Sequence, residues 1–458
     1  MKVNSRWLLI AIGLGVLLNP LNSSMISIAL IRLQEVYQLD YTSVSWVVFA
    51  FYIASSIAQP VMGKASDLFG RRRIFLAGLV VAFAASMLAP FSPGFGWLIV
   101  FRIIQSVGTS MMVAVGMAIV RVHIKENQAA ALSVLSVFLS GAAAVGPFVG
   151  GVIIAWWDWK AVFWVNLPFT AAGFVLAWRS IPEDHPEASL LKDLPFTKWL
   201  EIMDVKGIIL FMAGLTSLLL GVLSFESYGT AALWQILTVI GGLGLLTVFV
   251  WNELKSASPF IPLRTFARYP AMTRVNIEYM LVNVLFYALF FGVPSYLQTV
   301  RGVSVIQTGL LMLSLGLCSL LAAPVAGRWV DRSGPGPALM LSASLMTFGS
   351  LWLVMMNEGS PAASICIALA AFGLSSGLSG VGLQAALFQS SPPEIIGVAS
   401  GVFNTSRYFG TILSSLLTGL VMGGQLSSGG LRVLAVILTA IAFLLILLNR
   451  QRLRAGFR

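Results

Sequence analysis

Three charged side chains stand inside long apolar stretches of this sequence. They are Arg102, Glu278 and Arg407. A charge at the centre of a bilayer costs about 2.5–3.5 kcal/mol, so each of these groups must be paired or face a wet cavity. A buried carboxyl group such as Glu278 is suited to taking up and releasing a proton. The alternatives are structural: an ion pair between Glu278 and Arg274, and an Arg102 held by backbone carbonyl groups.

The composition excludes an ordinary soluble domain. The 458 residues are 58% apolar and 10% charged, whereas about a quarter of the residues of a soluble domain are charged. The net charge of +11 comes from Lys and Arg in short segments between apolar runs, with no basic face interleaved with aromatics, so no nucleic-acid partner is predicted. There is no G-x-x-x-x-G-K-[ST] pattern for ATP, no ligand spacing for a metal and no nucleophile constellation for an enzyme.

Fourteen apolar runs organise the chain into an all-α polytopic membrane protein. Each run is long enough to cross a bilayer and is apolar all round, as a spanning helix must be. The first run is interpreted as a span and not as a signal peptide, because its removal would break the internal repeat described below. The runs cover residues 7–31, 43–63, 74–92, 96–120, 130–156, 161–179, 206–224, 232–251, 272–298, 305–326, 338–356, 362–388, 397–423 and 431–449.

The distribution of basic residues predicts the topology. With the N-terminus inside, 22 Lys and Arg residues fall in cytoplasmic segments and 4 fall outside, in accord with the positive-inside rule. Both termini are therefore expected in the cytoplasm, in a multi-pass, monomeric protein of a bacterial cytoplasmic membrane.

The sequence repeats at a constant offset of 264 residues. The polar segment around Asp67 recurs around Asp331, and Pro60 recurs at Pro324. Two six-helix bundles with two helices inserted between them explain a single offset. The predicted divisions are an N-terminal six-helix bundle at 1–180, cytoplasmic linkers with two extra transmembrane helices at 181–270, and a C-terminal six-helix bundle at 271–458.

The segment Gly63–Arg73 carries the most specific motif of the chain. It matches G-x-x-x-D-x-x-G-R-[RK]-[RK] and resembles the loop between helices 2 and 3 of major facilitator superfamily (MFS) transporters. The similarity covers the whole chain and is to the fourteen-span branch of that superfamily, which holds drug:proton antiporters. The resemblance implies conformational gating on the cytoplasmic side by Asp67, Arg71, Arg72, Arg73, Asp331 and Arg407.

A second motif lies in the fifth run. Its Gly-Pro-x-x-Gly-Gly string is similar to the motif associated with exporters and antiporters, and it implies export. Glycines allow a facing backbone to approach closely, and a proline removes one helical hydrogen bond and bends the helix. The motif residues are Gly141, Gly146, Pro147, Gly150 and Gly151.

Two further positions bear on energy coupling and on substrate charge. Arg102 and Gln105 match the R-x-x-Q pattern of the family, which ties this arginine to proton coupling, and Glu278 is the candidate acid. Related exporters carry an Asp in the first helix, where this chain has Asn22. Because an amide neither titrates nor neutralises a cation, a neutral or anionic substrate is favoured.

Polar and flexible side chains on the apolar runs outline a candidate substrate cavity. Amides, hydroxyl groups and thioethers suit promiscuous apolar ligands, although each could equally be a packing residue. The candidates are Asn22, Met25, Gln105, Met112, Asn283, Tyr287, Gln298 and Gln384.

The pattern as a whole predicts a secondary active transporter. It would export hydrophobic or amphipathic small molecules, such as drugs and antibiotics, by alternating access. Its partners would be the substrate, protons and the lipid bilayer, with no cofactor and the proton gradient as energy source. The alternatives are an exporter of an endogenous lipid or metabolite, a uniporter or importer, and a non-transporting membrane sensor or scaffold.

Overall fold

The computed structural model describes residues 5–124, 128–183, 204–228, 233–259, 261, 263–391, 396–422 and 427–454. Within these ranges the regular structure is helical, with seventeen α-helices and one short 3-10 helix, Ala89–Phe91. The all-α prediction is confirmed. The helices of the first part are α1 Ser5–Val16, α2 Leu18–Tyr37, α3 Tyr41–Phe69, α4 Arg71–Leu88, α5 Phe95–His123, α6 Gln128–Trp157, α7 Ala161–Trp164 and α8 Asn166–Ser180.

The rest of the chain continues in the same way, with a helix on each remaining apolar run. A helix satisfies its own backbone hydrogen bonds, which hydrocarbon cannot do. These helices are α9 Val205–Tyr228, α10 Leu233–Lys255, α11 Leu263–Arg268, α12 Pro270–Thr299, α13 Val305–Ser333, α14 Pro335–Val354, α15 Ala362–Ser390, α16 Ile396–Met422 and α17 Ser428–Arg454.

Eleven helical stretches of the described residues are long and apolar enough to cross a membrane. Two more apolar stretches, Gly141–Trp157 and Val205–Gly221, are shorter. This criterion rests on length and composition, so the total of fourteen crossings stays a prediction. The multi-pass character of the chain is confirmed.

Two of the predicted spans are broken helices, which corrects the expectation of one unbroken helix per run. In the first run α1 ends at Val16, and in the sixth run α7 ends at Trp164. In each case a proline, Pro20 or Pro168, lies four residues after the break. A proline has no N–H to give to the carbonyl group four residues back, and its ring clashes with that group. A proline thus accompanies each break, whereas α6, α12 and α13 continue through Pro147, Pro294 and Pro324.

Contacts between Cα atoms divide the chain into two compact units. Unit 1 contains residues 1–19, 50–139 and 163–268, and unit 2 contains residues 20–49, 140–162 and 269–458. Unit 2 thus combines α12 to α17 with parts of α2, α3 and α6. The predicted divisions at residues 180 and 270 follow the sequence repeat and stay predictions.

Glycines set the distance between α4 and α5 in unit 1. A Cβ atom at position 108 would lie 2.7 Å from the backbone nitrogen of Ala82, and one at position 78 would lie 2.8 Å from the carbonyl oxygen of Gly108. Contacts this short are tolerated only without a side chain, so the two helices pack backbone to backbone.

We expect Gly108→Ala to destabilise the protein by about 1–3 kcal/mol, because the methyl group overpacks the α4–α5 contact. Gly96→Ala, in the same helix, is the matched control. A Cβ atom at position 96 has no heavy atom within 4 Å, so this change should be neutral or stabilising by up to about 1 kcal/mol. Thermal unfolding in detergent measures both variants. Equal shifts for the two would contradict the backbone-to-backbone contact.

Candidate functional site

Arg102 is fully buried in unit 1, with 1% of its surface exposed. Its Nη1 donates to Oε1 of Gln105 at 2.7 Å, and its guanidinium lies 4.2 Å from the ring centroid of Phe51. Gln105 in turn donates through Nε2 to Oγ of Ser86 at 2.8 Å. A cation over an aromatic face is stabilised when desolvated. The structure therefore surrounds this charge with an amide and an aromatic face.

Short hydrogen bonds connect other polar side chains near Arg102. Ser106 lies 2.6 Å from Oγ of Ser55 and donates to the carbonyl oxygen of Phe51 at 2.6 Å. Asn19 donates to Oγ1 of Thr109 at 3.1 Å. Buried polar groups must be bonded internally, and these bonds tie α2, α3 and α5 together within unit 1.

Glu278 forms a buried ion pair in unit 2. Its partner is Arg452 and not Arg274, which was the alternative drawn from the sequence. Its Oε2 lies 2.9 Å from Nη2 of Arg452, and both residues are almost fully buried. Arg274 instead donates to Oε1 of Gln451 at 2.7 Å. The carboxylate is therefore neither unpaired nor paired with Arg274. It joins α12 to α17, whose apolar run ends three residues before Arg452.

A cavity lies beside Glu278. This residue lines a small cavity of about 10 Å³ together with Ser342, Ser379 and Asn449. A cavity that holds one water molecule needs about 10–15 Å³, so the space is at the lower limit for a single water. The carboxyl group thus borders a small, mostly apolar cavity inside the C-terminal helices.

Arg407 lies in α16 among aromatic side chains. Its Nη2 donates to the hydroxyl oxygen of Tyr408 at 2.9 Å, and its guanidinium lies 4.8 Å from that ring centroid. Among the described residues it forms no ion pair. On α12, the ring of Tyr279 stacks on Phe403 of α16 with centroids 3.7 Å apart. A positive charge in an aromatic setting therefore lies on this helix pair.

The structure gives partial information on the predicted cytoplasmic gate. Arg72 donates to the carbonyl oxygen of Trp178 at 2.7 Å and forms an ion pair with Glu183 at 3.2 Å. Asp331 is exposed near the end of α13. The side chain of Asp67 falls outside the described ones, and a pairing between Asp67 and Arg71 stays a prediction.

One side of the α6 motif packs on α2 inside unit 2. A Cβ atom at position 146 would overlap the side chain of Ser24, and one at position 150 would lie 3.1 Å from Cα of Met25. The hydroxyl group of Ser24 also donates to the carbonyl oxygen of Ala142 at 3.4 Å. The glycines thus permit a close approach of α2 to α6.

The other side of the motif packs on α13. A Cβ atom at position 151 would lie 2.8 Å from the carbonyl oxygen of Val305, and one at Gly309 would lie 2.8 Å from that of Pro147. Gly141 differs from the other motif glycines, since a Cβ atom there would meet no described heavy atom within 4 Å. The close contacts of α6 with α2 and α13 therefore lie at Gly146, Gly150 and Gly151.

Two further hydrogen bonds in unit 2 join α12 to α3 and to α2. The hydroxyl group of Ser295 donates to that of Tyr41 at 3.2 Å, and Nε2 of Gln298 donates to the carbonyl oxygen of Ile28 at 3.4 Å. The sequence analysis did not single out Tyr41 or Ser295, because neither residue belongs to a motif. By the predicted topology these contacts lie at the outer end of the helices.

Arg32, near the C-terminal end of α2, forms two ion pairs. Arg32 binds Asp158 at 2.8 Å and Glu35 at 2.9 Å. The hydrogen bond from Arg32 is the main reason why the pKa of the Asp158 carboxyl lies below its usual value. Because both partners are partly exposed, solvent screening limits the stability that this pair contributes.

The candidate cavity residues lie in several environments. Met25 and Met112 are fully buried in helix packing, whereas Gln384 is exposed. The amide of Asn283 donates to the carbonyl oxygen of Tyr279 at 2.7 Å. A shared substrate-binding role for these residues stays a prediction. Of the remaining candidates, Asn22 and Gln105 are buried and Tyr287 and Gln298 are half-buried.

The family model described as Major Facilitator Superfamily matches residues 12–415. The chain therefore belongs to the major facilitator superfamily, and it is a transporter-family protein, not an enzyme.

Relatives and solved structures agree with this assignment. The chain is 41% identical over 94% of its length to the uncharacterized MFS-type transporter YwoD of Bacillus subtilis, of which it covers 93%. It is 26% identical over 91% of its length to the tetracenomycin C resistance and export protein of Streptomyces glaucescens, of which it covers 76%. The nucleoside transporter NupG shares the fold, with a TM-score of 0.67 at 11% identity over 99% of this chain and 100% of NupG.

We expect Arg452→Leu to cost about 3–5 kcal/mol of unfolding free energy, because it leaves the Glu278 carboxylate buried without its partner. Glu278→Gln combined with Arg452→Leu should be more stable than Arg452→Leu alone, since no uncompensated charge remains. Thermal unfolding of the two single variants and the double variant gives the coupling. Additive effects would show that the pair is not energetically coupled.

The α6 motif predicts a contrast between two of its own glycines. Gly146→Ala should lower the melting temperature, because the methyl group overlaps Ser24 and overpacking costs about 1–3 kcal/mol. Gly141→Ala should leave the melting temperature unchanged or raise it, because its surroundings are open. A larger fall in melting temperature for Gly141→Ala than for Gly146→Ala would contradict this account of the packing.

Proposed function

We propose that this protein is a secondary active transporter that exports hydrophobic or amphipathic small molecules across the cytoplasmic membrane in exchange for protons. The observation that carries the proposal is the α6 motif, in which Gly146 to Gly151 pack tightly against α2 and α13. Family membership supports transport, and the relative named as a resistance and export protein supports the direction. In this proposal the chain crosses a bacterial membrane fourteen times, with both termini in the cytoplasm.

Proton exchange would use the Glu278–Arg452 pair. Protonation of the carboxyl group removes the charge that Arg452 binds, so the pair opens when a proton is taken up and closes when it is released. In this proposal the small cavity beside Glu278, which is at the lower size limit for one water molecule, is where a water would deliver the proton. Arg102, buried in the other unit and bonded to Gln105, is the second coupling residue of the proposal.

The charges inside the spans favour a neutral or anionic substrate. Arg407 forms no ion pair among the described residues, and Arg102 adds a second positive charge, which contacts Gln105 and Phe51. Asn22 provides no negative charge where related exporters have one. A cationic drug would meet positive charges without a compensating carboxylate, at a cost that grows in a low-dielectric interior.

Alternating access would depend on two sets of contacts. In this proposal the packing of α6 against α2 and α13 closes the outer side in one state. The cytoplasmic segment with Asp67, Arg71 to Arg73, Asp331 and Arg407 closes the inner side in the other state. Each set must break for the substrate to cross, as in other transporters built from repeats.

The test uses everted membrane vesicles that contain the protein, with an acidic interior and a fluorescent reporter of the pH gradient. A panel of matched cationic, neutral and anionic amphipathic dyes is added. At least one neutral or anionic dye should enter the vesicles and dissipate part of the gradient. Glu278→Gln should reduce proton-coupled uptake by at least about tenfold, which corresponds to about 1.4 kcal/mol in the barrier.

Two controls make the result decisive. Glu358→Gln removes an exposed carboxylate that lies outside the proposed pathway, and it should leave uptake unchanged. Uptake that persists at the same rate after an uncoupler collapses the gradient would favour a uniporter. Uptake confined to a single lipid or metabolite would favour an exporter of an endogenous compound. Unchanged uptake and pH dependence in Glu278→Gln would remove this residue from the mechanism.

A further inference from the structure

One cavity in unit 2 has a volume of about 400 Å³. Small-molecule sites occupy roughly 300–1,000 Å³, so the cavity is large enough for a ligand. It lies among α12, α14, α15 and α17, at the end of these helices that the topology predicts to be cytoplasmic. Its polar lining is provided by Arg274, Arg452, Gln389 and Ser390.

The lining has a positive charge and no carboxylate. Arg274 and Arg452 both line the cavity, and none of the described lining residues is acidic. Glu278 neutralises one of the two guanidinium groups through its ion pair with Arg452 at 2.9 Å. Arg274 donates to the amide oxygen of Gln451 and forms no ion pair with a described carboxylate, so among the described residues its positive charge is not neutralised.

One buried donor at this wall has no partner. Arg452 is 4% exposed, and its Nη1 atom makes no hydrogen bond within the described part of the chain. A buried guanidinium donor without an acceptor is costly. Nη2 lies 2.9 Å from the Glu278 carboxylate, so Nη1 is a buried donor on a lining residue, without an acceptor among the described atoms.

The helix ends at the cavity favour a negative ligand as well. α12 begins at Pro270 and α14 begins at Pro335, and both prolines line the cavity. The first N–H groups of a helix have no partner inside it, and the N-terminal end of the helix dipole is positive. The C-terminal end of α15, at Ser390, also lies at the cavity, and its partial negative charge opposes this field. The two guanidinium groups carry full positive charges, which are larger than the partial charge of a helix end.

We propose that this cavity binds a phosphate-bearing anion, held between Arg274 and the free donor of Arg452. Arginine is the side chain best suited to phosphate, because its planar fork can donate two parallel hydrogen bonds. Two sources share this chemistry: the headgroup of an anionic phospholipid and a soluble phosphate. The site does not depend on which molecule is exported, so transport results neither support nor weaken it.

The experiment uses the full chain purified in detergent and follows its thermal unfolding. One arm adds phosphatidylglycerol, with phosphatidylcholine of the same acyl chains as the uncharged comparison. The other arm adds sodium phosphate, with sodium chloride at equal ionic strength. We expect phosphatidylglycerol, sodium phosphate or both to raise the melting temperature. Phosphatidylglycerol alone would identify a lipid headgroup, and an effect of sodium phosphate would show that a soluble phosphate suffices.

Variants tie the response to the cavity. Arg274→Gln leaves the Glu278–Arg452 pair in place, and it should raise the half-maximal concentration of the active ligand at least about tenfold, a loss of about 1.4 kcal/mol. Arg274→Lys should retain most of the response. Arg450→Gln is the matched control, because Arg450 is exposed on the same helix as Arg452 and does not line the cavity.

Two results would overturn the proposal. The first is a melting temperature that neither phosphatidylglycerol nor sodium phosphate raises above its comparison. The second is an equal loss of response in Arg274→Gln and Arg450→Gln, which would show attraction to the overall positive charge and not to a site.

Discussion

Charged groups buried in a membrane protein have no water to bind, so the protein itself must satisfy them. This constraint explains the two charged centres of the structure. Arg102 is satisfied within one unit by the amide of Gln105 and the face of Phe51. Glu278 is satisfied in the other unit by Arg452, from the last helix. The first centre combines a hydrogen bond to an amide with a cation–π contact, whereas the second is an ion pair between two opposite charges.

Packing between the helices depends on a second constraint, the absence of a hydrophobic driving force in lipid. Close approach through small residues replaces it. The glycines at positions 78 and 108 bring α4 and α5 together in unit 1, and those at 146 to 151 bring α6 against α2 and α13 in unit 2. These contacts have almost no side chain to rearrange. They therefore suit surfaces that must either fit closely or separate, as alternating access requires.

Much of the fold could be predicted from the sequence, because a membrane imposes long apolar runs that are visible without any partner. The partners of the buried charged residues were less predictable. Glu278 stands out as an acid inside an apolar run, but its partner Arg452 lies just beyond another run, and only the tertiary structure brings them together. The breaks before Pro20 and Pro168 could not be inferred from proline alone, because α6, α12 and α13 continue through a proline. Gly141 belongs to the motif by its spacing, yet a Cβ atom there would meet no described heavy atom within 4 Å, since spacing does not say which neighbour a helix face meets.

The most direct test of the account is a reversible cross-link between α6 and α13. A Cβ atom at position 316 would lie 2.7 Å from Cβ of Ala144, so cysteines at the two positions can form a disulfide after a small outward shift. The variant Ala144→Cys/Gly316→Cys is made with Cys318 and Cys366 replaced by serine, and uptake is measured in the oxidised and reduced states. The account predicts that oxidation stops transport and that reduction restores it. Transport at the full rate with the cross-link formed would contradict it.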